Sequence, residues 1–431
     1  MSTAATQPLS DIAEVNPRVD LRGLGEDSPV SFIPMADVTD TGQWVGRQAR
    51  PLREVCVGYT PFAEGDVLFA KITPCMENGK GAHATGLTNG VGFGSTEFHV
   101  LRARGDNDAR FLFHWLQAPP TRTRAVAFMG GSAGQQRVQP EFFSRFHIPR
   151  IDPAEQRRIA AVLDTVDEAI AATEAVIAKL RQVRAGLLHD LLTRGLDENG
   201  DLRDPVAHPE QFKDSVLGRI PKEWEVPTLE RICRYIGSGV TPRGGQEVYA
   251  SEGVTFIRSQ NVTVEGLMLT DVAYIPEQVH LEMVRSAVFA HDVLFNITGA
   301  SIGRCCTVPV GLGSANVNQH VCILRVPNAT DADAAFLAAV LASPIGQQQL
   351  AALNTFGNRQ GLNYQQLGSF LVPWPGRGER ELISECLGVA DEELRAETTE
   401  LAKLQHLKSG LSHDLLSGRV RVPETVVMGA E

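Results

Sequence analysis

Residues 155–192 read EQRRIAAVLDTVDEAIAATEAVIAKLRQVRAGLLHDLL, and residues 379–416 read ERELISECLGVADEELRAETTELAKLQHLKSGLSHDLL. The offset is 224 throughout, with no gap. Pro149, Ile159, Leu163, Asp167, Glu168, Lys179, Leu180, Gly186, Leu187, His189 and Asp190 each meet their own kind 224 positions later. Agreement of that length and register marks a tandem duplication. Repeats are read first because a missed one mis-assigns the whole fold.

Both copies carry a helical seam. In the first, Ile159, Leu163, Val166, Ile170, Thr173, Ile177, Leu180, Arg184, Leu187 and Leu191 alternate steps of four and three. In the second, Ile383, Leu387, Ala390, Leu394, Glu397, Leu401, Leu404, Lys408, Leu411 and Leu415 do the same. This 3.5-residue period drives a coiled coil. The polar interruptions also match, Thr173 with Glu397 and Arg184 with Lys408. Asp152-Pro153 with Glu155 predicts the first helix start, and Gly195 and Gly418 lie just past the two ends. A helix of this length spans roughly 57 Å at 1.5 Å per residue. Two such seams in one chain predict an antiparallel pairing, a dumbbell with approximate two-fold symmetry. The competing arrangement packs each helix on its own globular unit. The repeated Leu-x-His-Asp-Leu-Leu at both ends reads as structural, since a histidine in the last turn suits the negative end of the helix dipole. The other reading is a His-Asp metal phosphohydrolase, and the sequence positions no further ligands for it.

The flanking regions echo more faintly. Gly65-Asp-Val-Leu-Phe69 aligns with His291-Asp-Val-Leu-Phe295, each followed closely by Ile-Thr. Asp108-Ala-Arg-Phe-Leu aligns with Asp333-Ala-Ala-Phe-Leu, and a proline, Pro119 or Pro344, ends both stretches. The expected fold is α+β: two α/β globular units alternating with two long helices. Its divisions are a first unit at 1–150, a helix at 151–195, a linker at 196–220, a second unit at 221–376, a helix at 377–418 and a tail at 419–431.

The chain has 431 residues, 43% of them hydrophobic and 21% charged, enough to bury a core. It lacks a run of eighteen apolar residues and a basic apolar leader, so no membrane span or secretory signal is expected. Seven cysteines without paired spacing suggest reduced thiols and a cytoplasmic location. The formal charge of -11 weighs against nucleic acid. Against that, the first 150 residues are formally neutral, with basic side chains bunched near 121–150. Of the 40 basic residues 33 are arginine, the residue that forks onto guanine edges and phosphates.

Catalytic motifs are missing. Gly90-Val-Gly-Phe-Gly94 leads into strand-like alternation at Ser95–Leu101 and offers no helix N-terminus to a phosphate. His-Glu-x-x-His and the Asn/Asp-Pro-Pro-aromatic segment of adenine methyltransferases are absent. The sequence reads as a binding protein, with no metal site and no catalytic residue. Loops rich in Gly, Ser, Gln, Asn and Arg suit DNA, although the same residues are ordinary turn formers. The candidate contacts in the first unit are Lys71, Asn78, Lys80, Arg122, Arg124, Ser132, Gln135, Gln136 and Arg137. In the second they are Arg258, Gln260, Asn261, Asn296, Ser301, Arg304, Asn318, Gln319, Asn358, Arg359 and Gln360.

Taken together, the order of units, the Ile-Pro-x-x-x-Pro-x-Glu-Gln-x-x-Ile entry at 148–159, the strand motif at 65–73 and the Phe212–Val226 lead resemble the specificity subunit of type I restriction-modification enzymes. The resemblance implies two target recognition domains, each reading one half of a bipartite sequence in double-stranded DNA. It implies that the paired helices form a spacer docking two modification subunits, which carry methyltransferase chemistry with S-adenosylmethionine. It also implies restriction subunits that use ATP and Mg2+, and no cofactor in this chain. A coiled-coil scaffold, or a related methylation-based defence subunit without a type I nuclease, is the alternative. Two departures stand out. The first unit lacks a Phe-Lys-Asp-Ser lead of its own, and the second helix enters through Trp374-Pro-Gly-Arg-Gly378.

Overall fold

A computed structural model describes residues 5–132, 135–354 and 361–424. The chain divides into two compact units: residues 1–175 with 399–431, and residues 176–398. Each long helix therefore contributes one portion to each unit.

Unit 1 holds strands β1 Ala13–Val15, β2 Pro29–Ile33, β3 Gln48–Pro51, β4 Thr60–Ala63, β5 Val67–Ala70, β6 Gly81–His83, β7 Val91–Gly94 and β8 Phe98–Ala103. They form two four-stranded sheets, β1-β8-β5-β6 and β3-β2-β7-β4, and only β2 and β7 run parallel. Every residue of β5 is buried, which accounts for its unbroken apolar run. Helix α1, Ala109–Gln117, starts where the Asp108 carboxylate accepts the Phe111 N–H at 2.7 Å. Pro119 does more than end it: the proline opens a second helix, α2, Pro119–Val126, at a position that needs no N–H. The first long helix, α3, is Pro153–Thr193.

Unit 2 repeats the plan with β9 Tyr235–Ser238, β10 Val254–Ile257, β11 Ala273–Ile275, β12 Val293–Asn296, β13 Cys305–Thr307, β14 Ala315–Val317 and β15 Val321–Arg325. The sheet orders are β9-β15-β12-β13 and β11-β10-β14, and β10 and β14 are again the parallel pair. Helix α4, Asp331–Ala342, is followed by α5, Pro344–Asn354, with the proline again first. The second long helix, α6, is Arg377–Leu416.

The repeated Asp-Val-Leu-Phe has a physical reason. Asp66 is fully buried and takes a bidentate Arg102 at 2.7 and 2.8 Å, plus the Ala63 N–H at 2.8 Å. Asp292 takes Arg325 at 2.7 Å through both oxygens and the Phe289 N–H at 2.7 Å. Each buried carboxylate is thus paired and hydrogen-bonded, the condition under which burial of a charge is tolerated.

The long helices pair antiparallel within each unit. In unit 1, Ile159 and Leu163 of α3 share a core with Leu415, Leu416 and Val422. Lys408 meets Asp167 at 2.5 Å, and the Glu155 carboxylate accepts the Val422 N–H at 2.8 Å. In unit 2, Leu188, Leu191 and Leu192 pack with Ile383 and Leu387. There Arg184 grips Asp391, and Glu379 accepts the Leu196 N–H at 2.8 Å. Both pairs join the same repeat positions: Arg184 matches Lys408, and Asp167 matches Asp391. Along the seam Ile159, Leu163, Val166, Ile170, Ile177, Leu191, Ile383, Leu387 and Leu415 are buried, and Leu180, Leu187, Leu394, Leu401, Leu404 and Leu411 are half-buried. Among the described residues no single helix is long and apolar enough to cross a membrane.

Candidate nucleic-acid interface

The loop after β5 meets the segment before Pro140. Lys71 donates its backbone N–H to Glu97 O at 2.9 Å, Thr73 to Gln136 O at 3.0 Å, and Ile72 bridges Arg137. This junction gathers Lys71, Gln135, Gln136 and Arg137 into one place. The Arg137 guanidinium lies on the Glu97 carboxylate, Nε at 2.9 Å and Nη2 at 2.8 Å, and donates from Nη1 to Gln135 O at 3.0 Å. Hydrogen bonding to Glu97 raises the Arg137 pKa above its ordinary value, so the guanidinium stays charged.

Unit 2 has the same junction. Ile297 donates to His320 O at 3.0 Å, Leu362 donates to Ile297 O at 2.8 Å, and Thr298 bridges Gly361. By this pairing His320 stands where Glu97 stands, and Gly361 where Arg137 stands. The His320 ring bonds Thr298 Oγ1 at 2.6 Å and the Gln319 amide at 2.9 Å. Tyr364, 47% exposed, shares a hydrogen bond with the Ser238 hydroxyl.

Several sequence candidates do something other than face a ligand. Arg122 is buried, 5% exposed, and its N–H groups go to carbonyls of Leu116, Met76, Lys80 and Gly79 between 2.6 and 3.2 Å. Its guanidinium stacks on Phe69, 4.2 Å from the ring centre, and burial lowers its pKa to about 9. It fastens the 76–80 loop and does not reach outward. Asn261, Asn296 and Asn318 are also buried. Asn261 closes its own turn with Arg258 N, Met268 O and Asp271 O; Asn296 donates to Ser259 O; and Asn318 accepts from His320 N. Lys80 is turned to the carbonyls of Met35 and Val38, and Arg258 and Gln260 both bond Asp271. Such commitments cannot be read from a linear sequence, because any Asn or Arg in a loop has the same composition signal. Asn78, Arg124, Ser132, Gln135, Arg304 and Gln319 are exposed, and Lys71, Gln136 and Ser301 are half-buried. Asn358, Arg359 and Gln360 lie outside the described residues. Glu97 and His320 were not singled out by sequence. The signal was available in their spacing, 223 positions, next to the 224 of the helices.

Among the described residues, one trio has the geometry to hold a metal, namely His114, Asp164 and Asp167. Arg110 and His114 already engage Asp164, and Lys408 engages Asp167. Burial alone would raise the Asp164 pKa, but its hydrogen bonds to His114 and Arg110 outweigh it and bring the value to about 2. The acids are thus neutralised by the chain's own cations. His189 and His413, the repeated pair, are exposed and lie outside this trio.

Comparison with known proteins agrees with this architecture. Residues 2–182 match the family model for the type I restriction modification DNA specificity domain. Over that stretch the chain is similar to type I specificity subunits. The EcoEI specificity subunit of Escherichia coli is 37% identical over 153 residues, which is 35% of this chain and 25% of that protein. The EcoAI specificity subunit, also from E. coli, is 39% identical over 153 residues, 35% of this chain and 26% of that one. These matches thus span about a quarter of each relative's length. In fold, the type I S subunit from M. genitalium superposes over 96% of both chains with a TM-score of 0.57 at 14% identity. At this identity the likeness is one of fold.

Proposed function

We propose that this chain is the non-catalytic DNA-recognition subunit of a type I restriction-modification complex, each unit reading one half of a bipartite target. The observation that carries the reading is the junction built twice on one backbone plan and furnished with different side chains. A duplicated frame with divergent contact residues is what two readers of two different half-sites require. The specificity-domain match over residues 2–182 supports the first unit directly, and the 224-residue repeat extends it to the second.

In this reading the paired helices are the spacer, and two modification subunits dock on the chain. Those partners supply the methyltransferase with S-adenosylmethionine, and restriction subunits supply ATP- and Mg2+-dependent cleavage. The chain's own part is to position base-reading side chains and to hold the halves in register. An acidic total charge leaves it a weak phosphate binder alone, so the complex depends on its partners for much of the backbone grip. The test is methylation mapping in cells that express the chain with its modification partner. One bipartite motif is expected, and exchanging residues 1–150 for those of a relative should change one half only. A change in both halves, or in neither, would remove the two-reader model.

A further inference from the structure

The two junctions differ in chemistry at matched places. In unit 1 the guanidinium of Arg137 has five N–H groups. Three are committed, two to Glu97 and one to Gln135 O. Among the described residues two remain uncommitted, on a side chain 39% exposed and held by a carboxylate that is itself 23% exposed. A guanidinium fixed in this way loses little rotamer freedom on binding. Two free N–H groups on Arg are the donors that meet guanine O6 and N7.

Among the described residues, unit 2 offers no such donor pair at the same place. Gly361 replaces the arginine and His320 the glutamate. With the Gln319 amide donating to His320 Nε2, the ring carries its proton on Nδ1 and donates it to Thr298 Oγ1. This fixes the exposed Gln319 by one N–H and, among the described residues, leaves its Oε1 and second N–H uncommitted. An acceptor and a donor on one amide complement adenine N6 and N7.

We infer that this junction is the base-reading point of each unit, with Arg137, held by Glu97, reading a guanine in one half-site and Gln319, held by His320, reading an adenine in the other. The inference rests on the proposed function and adds the residues and base class. Glu97 and His320 act as positioning residues.

The test uses the full chain assembled with its modification subunits. Cells carrying Arg137→Ala should methylate a motif relaxed at one guanine of one half-site, and Gln319→Ala a motif relaxed at one adenine of the other. In binding assays, 7-deazaguanine at the first position should weaken the wild-type complex about tenfold or more and leave Arg137→Ala indifferent. 7-Deazaadenine should do the same for Gln319. Arg137→Lys keeps the charge without the fork and should behave like Arg137→Ala, which covers the case of a poorly folding alanine variant. Unchanged motifs and deaza sensitivity in both variants would overturn the assignment, as would an Arg137 effect in the Gln319 half. If the wild-type complex yields no bipartite motif, the proposed function itself falls, a result distinct from either.

Discussion

Replacing Glu379 with alanine should destabilise unit 2 by about 3–5 kcal/mol, the range for removing one partner of a buried ion pair. Its carboxylate is 14% exposed and accepts from three groups: the Leu196 N–H at 2.8 Å, the Arg203 guanidinium at 2.5 and 3.4 Å and the indole N–H of Trp224 at 2.9 Å. Arg203 is 12% exposed and Trp224 fully buried, so none of the three donors regains full hydration when the acceptor goes. An orphaned buried donor costs about 1–3 kcal/mol, and three sharing one site do not add fully. Glu379→Gln keeps the shape and one acceptor oxygen and should lose roughly half as much. Gly195→Ala attacks the same knot from the other side. Its φ is +63°, and an added Cβ would land on Glu379, Trp224 and Arg203. Urea unfolding gives the size of the loss, and hydrogen exchange over residues 194–226 gives its place. A Glu379→Ala loss below 1 kcal/mol, or deprotection confined to the Glu155–Val422 region, would refute the reasoning.

Three further outcomes are expected. Arg184→Asp places like charges opposite Asp391 and should cost about 1 kcal/mol, since both side chains are roughly a third exposed. Adding Asp391→Arg should recover most of that loss in urea unfolding. Burial, helped by the charge of Arg110, lowers the His83 pKa to about 4 from 6.5. The unfolded chain therefore binds a proton that the folded one refuses, and stability drops as pH falls from about 6.5 towards 4. Between pH 7.5 and 5.0 the loss should be about 2 kcal/mol, and His83→Gln should abolish that part of the pH dependence of the urea midpoint. Arg122→Met should change overall stability by less than about 2 kcal/mol, because a buried cation is exchanged for an apolar side chain. It should nonetheless speed hydrogen exchange across residues 76–80, whereas unchanged exchange there would show that Arg122 does not fasten the loop.

The long helices were legible because their information is local and periodic. The polar breaks in the seam were visible too, but their meaning was not. Arg184 and Lys408 look like defects until Asp391 and Asp167 are found opposite them. The sheets were harder, since β2 pairs with β7 and β10 with β14 across about sixty residues, and no short window carries that pairing. Among the candidate contacts, exposure decided what composition could not. Arg122 and Asn261 have the residue types of a DNA contact, yet their donors are consumed by backbone carbonyls. Glu97 is acidic, and reasoning from charge passes over the residue on which Arg137 rests.

Unit 1 is discontinuous in the chain: it needs residues 1–175 and then the stretch beyond 398. Its core includes Leu415, Leu416 and Val422 beside Ile159 and Leu163. During synthesis at about 5–20 residues per second, those partners reach Ile159 at least ten seconds after it is made. Unit 2, contiguous from 176 to 398, can close first. The first part to be translated is then the last to be completed, and in the interval the open face of α3 is the place where a nascent chain would need a chaperone or a waiting subunit.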